Sequence, residues 1–243
     1  MFSIKVSNLH SIKRTIDRFV KNLRDLYGES LISVVLYGSA ASGEYEGRNS
    51  NINIAVILKD ASLVSLSKMS KFINRREFSA ISPIFLTEDY MRRSTDVFPI
   101  EFIDMKENNV VLHGKDILKD LNIDIKNLRF QCEQELKSKI ISLKKVYLRT
   151  TNEAALKRLL FKSVTSGIHI LRNLIRLKAR KPAYVKEDAL NEISEEFGVD
   201  LVALGRILDA KSKNRKLSYR EADSLFVRFV ETLEAITDKV DRL

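Results

Sequence analysis

Two apolar runs, 31-LISVVLYG-38 and 52-INIAVIL-58, dictate most of what this chain can become. Both are rich in β-branched and aliphatic residues, and both are short, so each reads as a buried strand. A polar, glycine-bearing loop, 38-GSAASGEYEGRNSN-51, joins them. Ahead of the first run, Leu9, Ile12, Ile16, Phe19, Val20, Leu23 and Leu26 recur at helical spacing, and Gly28 stops the turn. The alternation continues beyond the second. Residues 60–74 predict a helix with Asp60 at its cap, and 82-SPIFLT-87 a third strand with Pro83 near its start. Thr87 is placed to cap a short helix over 88-EDYMRRS-94, with Glu88 and Asp89 at its positive end. The stretch 97-VFPIEFIDM-105 reads as another strand and 110-VVLHG-114 as a short one.

From Asn127 onward the material changes. Glycine becomes sparse and long helical patterns dominate. The first, over 128–150, turns Leu128, Cys132, Leu136, Ile140, Leu143 and Val146 inward. Asn152 caps a second, over about 153–179, which Lys181-Pro182 ends. Shorter helices follow near 186–197 and 199–210, separated by Gly198, and Ser218 caps a last one over 219–241. The shift predicts an α/β domain over 1–122 and an all-α helical bundle over 123–243.

Composition excludes several classes. Apolar residues at 44% and charged residues at 30% argue against disorder. No apolar stretch approaches the roughly 18 residues of a membrane span, and the amphipathic N-terminal helix does not read as a signal peptide. The lone cysteine, Cys132, excludes an internal disulfide and fits a reducing, cytoplasmic setting. Net charge is +10, unevenly spread: residues 1–125 carry 17 Lys+Arg against 16 Asp+Glu, and residues 126–243 carry 25 against 16. Such a basic half suits an anionic partner, whether nucleic acid, nucleoside triphosphate or acidic protein.

The candidate chemistry lies in three separated places. Gly38-Ser39 directly after a strand lets backbone amides and a hydroxyl approach phosphate oxygens. Asn51 and Asn53, at i and i+2 where the next strand begins, share a face beside that loop. Glu101, read inside a strand between apolar neighbours, is a carboxylate that needs a partner or a cation.

This pattern resembles the signature of the DNA polymerase β-like nucleotidyltransferase superfamily, and 99-PIEFIDMKENNVVLHGKD-116 resembles the third-carboxylate region of its minimal and antibiotic-type members. The resemblance covers roughly residues 31–118, and the helical half is similar in general architecture only. It implies a nucleotidyltransferase-type domain with a mixed sheet, followed by a helical bundle. It implies that Gly38 and Ser39 hold the β/γ-phosphates of ATP or another nucleoside triphosphate. Asn51, Asn53 and Glu101 would then occupy the Mg²⁺-ligand positions, with Glu101 also the base toward an unidentified acceptor. The chain departs from the pattern where asparagines replace two aspartates. An amide offers an oxygen without charge, and Mg²⁺ sheds water reluctantly except to carboxylates. The resulting reading is a triphosphate-binding protein with a degenerate metal site and weak or absent transfer. Two alternatives stand beside it. One is an active metal-dependent transferase moving AMP, or another nucleotide, onto a small molecule or protein. The other is a nucleic-acid-associated module built on the basic helical half. The family's habits also leave a homodimer open.

Other features are read as structural. Arg75-Arg76 and Arg92-Arg93 fit exposed helix ends. The exception is the two densest basic stretches, 172-RNLIRLKARK-181 and 211-KSKNRK-216, either of which could grip nucleic-acid phosphates, though no aromatic platform interleaves with them to favour single strands. His10, His113 and His169 lack metal-ligand spacing, and Ser166-x-x-His169 reads as packing. Nothing in the spacing brings Glu44 or Glu46 to the metal position.

Overall fold

A computed structural model of the chain describes residues 9–42, 51–178, 180–183 and 185–243, with side chains from Ile12 onward. Glu44, Glu46 and the rest of 43–50 lie outside the described residues, as do the side chains of Leu9 and His10.

The two apolar runs form β1 (Leu31–Tyr37) and β2 (Ile52–Leu58), paired antiparallel. β3 (Ile81–Leu86) adds parallel to β2, and β4 (Asn109–Gly114) adds antiparallel to β1. The result is a mixed four-stranded sheet in the order β3-β2-β1-β4. Alternation along the strands sorts their side chains to two faces, and both are covered. On one face, Val34, Leu36, Ile54 and Val56 pack with Ile16, Phe19 and Leu23 of α1 (Leu9–Tyr27) and with Met69 and Phe78. Phe19 and Phe78 meet edge to face, with ring centroids 5.4 Å apart. On the other, Val35, Ala55 and Ile57 pack with Met91 of α5 (Glu88–Arg93) and with Phe102 and Met105 of α6 (Pro99–Glu107). Burial on both faces is why β1 and β2 read as nearly unbroken apolar runs.

Two local expectations are corrected. The segment 97–105 is not a strand. Pro99 sits in the first turn, where its missing N–H costs nothing, and Glu101 in the same turn faces the positive helix end. Nor is 60–74 one helix. Ser62 is the cap, its hydroxyl accepting from the Ser65 amide (3.3 Å), while the Asp60 carboxylate accepts from the Ser62 amide (2.8 Å) and hydroxyl (2.9 Å). The segment then breaks into α3 (Leu63–Ser67) and α4 (Ser70–Ile73), with Met69 buried at the break. Thr87 caps α5 as expected, its hydroxyl accepting from the Tyr90 amide at 3.1 Å.

The chain divides into two compact units, Met1–Asp124 and Ile125–Leu243. The described part of the second is all helix: α7 (Ile125–Tyr147), α8 (Glu153–Arg176), α9 (Lys186–Phe197), α10 (Val202–Ser212) and α11 (Tyr219–Asp241). Asn152 caps α8 through the Ala155 amide (2.9 Å), and Ser218 with Glu221 makes a complete capping box on α11. Leu128, Cys132, Leu136, Ile140 and Leu143 of α7 are buried as the periodicity requires, but Val146 is exposed near the helix end. α8 and α11 approach closely at Gly167, where a Cβ would meet the Phe229 ring at 3.0 Å. Among the described residues, no helix is long and apolar enough to cross a membrane.

Candidate functional site

The site begins where β1 ends. Gly38 turns the backbone at φ +72, a left-handed conformation that glycine adopts without strain. Its amide donates to the Asn108 carbonyl (3.1 Å), and its carbonyl accepts from the amides of Ala41 (2.9 Å) and Ser42 (3.0 Å). These bonds lock the turn into α2 (Ser39–Ser42), a single helical turn opened by half-buried Ser39. The first amides of such a turn, Ser39's among them, find no acceptor inside it.

The sheet register places four side chains in one row beside this turn. Asn53 is the partner of Tyr37 on one side and of Ser82 on the other, and Tyr37 is the partner of Asn109. All four are half-buried. By alternation, Asn53 shares the face of Ala55 and Ile57, the face that α5 and α6 cover. A Cβ built on Gly38 would stand 3.2 Å from the Asn53 Nδ2, so the loop and this strand position touch. Asn109 donates through Nδ2 to the Lys106 carbonyl at 3.0 Å. Burial raises the Tyr37 pKa above the usual phenol value, which keeps it neutral. Across the row Ser82–Asn53–Tyr37–Asn109, the sheet thus offers two amides and two hydroxyls and no carboxylate.

The remaining expected site residues lie off this row. Asn51 precedes β2 and is exposed. Glu101 is also exposed, in the first turn of α6, so its expected burial in a strand does not occur and the argument from burial cost falls away. Its helix nevertheless packs through Phe102 and Met105 on the Asn53 face of the sheet. Among the described residues no group of three His, Cys, Asp or Glu side chains is placed to hold a metal ion. Neutral amide and hydroxyl oxygens suit Mg²⁺ less well than the carboxylates it favours.

No protein-family profile matches this chain, and no curated protein sequence matches it. Among solved structures it is similar to spectinomycin adenyltransferase AAD(9) from Enterococcus faecialis, determined with ATP and spectinomycin. The two align with a TM-score of 0.55 at 13% identity, covering 94% of this chain and 99% of the other. The chain shares that protein's fold.

The structure brings Gly38 and Asn53 together, and beside them Ser82, Tyr37 and Asn109, which the sequence reading did not name. Ser82 carried a signal, a polar residue inside an apolar strand. Tyr37 and Asn109 are revealed only by strand pairing. The Arg92-Arg93 pair is satisfied locally: Arg92 binds Glu88 at 2.9 Å, and Arg93 binds Asp89 one turn back. The 172–181 cluster is largely committed within the bundle. Arg176 is buried and bonded to Asn173, and Arg180 pairs with Glu196.

Proposed function

We propose that this chain binds a nucleoside triphosphate at the Gly38–Ser39 turn and has a degenerate cation site that leaves nucleotidyl transfer weak or absent. The row Ser82–Asn53–Tyr37–Asn109 carries the reading: beside a turn suited to phosphate, the sheet supplies no charged cation ligand. Gly38 and Ser39 are the proposed contacts to the β/γ-phosphates. Asn51 and Asn53 take the two ligand positions without their charge. Glu101, offered from α6, is the carboxylate proposed for the third position and for accepting the acceptor's proton. A lone carboxylate holds Mg²⁺ weakly. Each 1.36 kcal/mol lost from transition-state stabilisation slows transfer about tenfold. ATP is the first nucleotide to test, because the protein of shared fold was solved with it.

Titration calorimetry with ATP, with and without Mg²⁺, tests the binding half. The expected result is binding whose affinity changes little on adding Mg²⁺. Incubation with α-labelled ATP and candidate acceptors tests the other half, with little or no label transferred. Failure to bind ATP under either condition overturns the reading, and so does Mg²⁺-dependent labelling at rates typical of an enzyme.

A further inference from the structure

Several cations of the helical unit have an anionic partner: Lys137 with Glu133, Lys144 with Glu234, Lys213 with Asp209, Arg215 with Glu221. One surface gathers cations without such partners. A groove of about 630 Å³ between α8 and α10 is lined by Lys157, Arg158, Phe161, Lys162, Lys211 and Asn214, together with Ala154. Four of these side chains are cations and none is an anion. Among the described residues, none of the four cations forms an ion pair. Lys157 lies over the Phe161 ring at 5.4 Å, and the Lys211 Nζ donates to neutral oxygens, the Phe161 carbonyl (3.1 Å) and the Thr165 hydroxyl (2.6 Å).

The crowding extends past the groove. Lys139, half-buried and bonded to Ser166, feels the repulsion of Lys162 in addition to its burial, and both lower its pKa. Lys211 is likewise lowered by burial and by Lys186. Gathering like charges without counter-charges destabilises a fold unless an anion neutralises them.

We infer that this face of α8 and α10 is a docking surface for the phosphate backbone of a nucleic acid, bound without base selection. Lys157, Arg158 and Lys162 lie within six residues on α8, a rise of about 7.5 Å over the five steps at 1.5 Å per residue. Lys211 adds a charge from the facing helix. Repeating phosphates suit such a spread of flexible cations, which need no fixed geometry. An acidic protein would ask for an apolar anchor pocket at the centre of its footprint. Here the sole large apolar group, Phe161, sits beneath Lys157. The surface lies wholly within the second unit and is independent of the nucleotide site proposed above.

Fluorescence anisotropy of the full chain with a labelled mixed-sequence DNA duplex, its single strand and the matching RNA tests the inference. Four neutralised phosphates predict a slope of log affinity against log salt of about −3.6 on duplex and about −2.8 on single strands. Lys157→Ala with Arg158→Ala and Lys162→Ala should remove about 3 from the duplex slope. Lys137→Ala with Lys144→Ala and Lys213→Ala removes the same charge from paired positions and should leave the slope within about 1 of the parent. Circular dichroism checks folding, and Arg158→Ala alone, expected to cost about 1 in slope, serves if the triple variant does not fold. Absence of salt-dependent binding overturns the inference, as does an equal loss in the paired-cation variant. A labelled poly-glutamate peptide that binds as tightly as the duplex overturns it in favour of an acidic protein partner.

Discussion

Gly38 and Asn53 touch across the β1–β2 pair, with the Asn53 Nδ2 standing 3.2 Å from where a Gly38 side chain would begin. The glycine therefore serves two purposes, a left-handed turn and room for the amide that stands where a metal-binding carboxylate is expected. Loop and strand are in contact, and a change at either is felt at the other.

Gly38→Ala tests this directly. Placing a non-glycine residue at φ +72 costs about 1–2 kcal/mol, and the contact with Asn53 adds to it. Urea denaturation should show a loss of at least that size, and calorimetry an ATP affinity lower by about tenfold, equivalent to about 1.4 kcal/mol. In an Asn53→Ala background the contact disappears while the backbone strain stays. The stability cost of Gly38→Ala should then shrink but not vanish. Equal cost in both backgrounds would contradict the coupling.

Restoring the charges should restore cation binding. Asn51→Asp with Asn53→Asp places two carboxylates near one another, which should lower the melting temperature without divalent cation. Adding Mg²⁺ should reverse the loss, by about 2.7 kcal/mol when the free ion reaches a hundredfold its dissociation constant. A double variant whose melting temperature ignores Mg²⁺ would show that these positions are not the cation site.

Two other left-handed glycines should respond very differently to alanine. A Cβ on Gly114, at φ +77, would collide with the Ile32 carbonyl oxygen, and backbone cannot step aside. Gly114→Ala should cost about 3 kcal/mol or more. Gly28, at φ +49, has nothing within 4 Å of its Cβ position. Gly28→Ala should cost only the conformational part, about 1 kcal/mol. Urea midpoints of the two variants check the contrast.

Alkaline pH should weaken the helical unit through Cys132. Burial pushes its thiol up to about 12 from an ordinary 9.0, with Glu135 raising it further and Arg176 opposing. Above about pH 9 the unfolded chain gives up this proton and the folded chain keeps it. The contribution is fully present below that pH and is lost as pH rises toward about 12. Cys132→Ala should flatten this part of the stability profile, measured by urea midpoints across the range. In the folded protein the thiol should resist alkylating reagents.

Local chemistry made much of the architecture legible. β1 and β2 announce themselves because both their faces are buried, and the caps at Thr87, Asn152 and Ser218 are short-range hydrogen bonds between residues three apart. The segment around Glu101 misled because apolar and polar residues over so short a span fit a strand period as readily as a helical one. Pro99 in the first turn and the sheet face awaiting Phe102 and Met105 decided for helix. Likewise the basic cluster at 172–181 looked like a surface, but Arg176 is turned into the bundle and Arg180 meets Glu196. Lys157, Arg158 and Lys162, which line the groove, lie on an earlier stretch of α8.

By itself the sequence determined a strand–glycine turn–strand unit, a helical second half and two uncharged amides at Asn51 and Asn53. Those follow from backbone freedom, side-chain period and residue chemistry, which act over a few positions. Only the tertiary structure decided that Ser82, Tyr37 and Asn109 complete the row with Asn53, and that Glu101 stands outside it. Strand pairing joins residues dozens of positions apart, and no local pattern encodes which of them become neighbours.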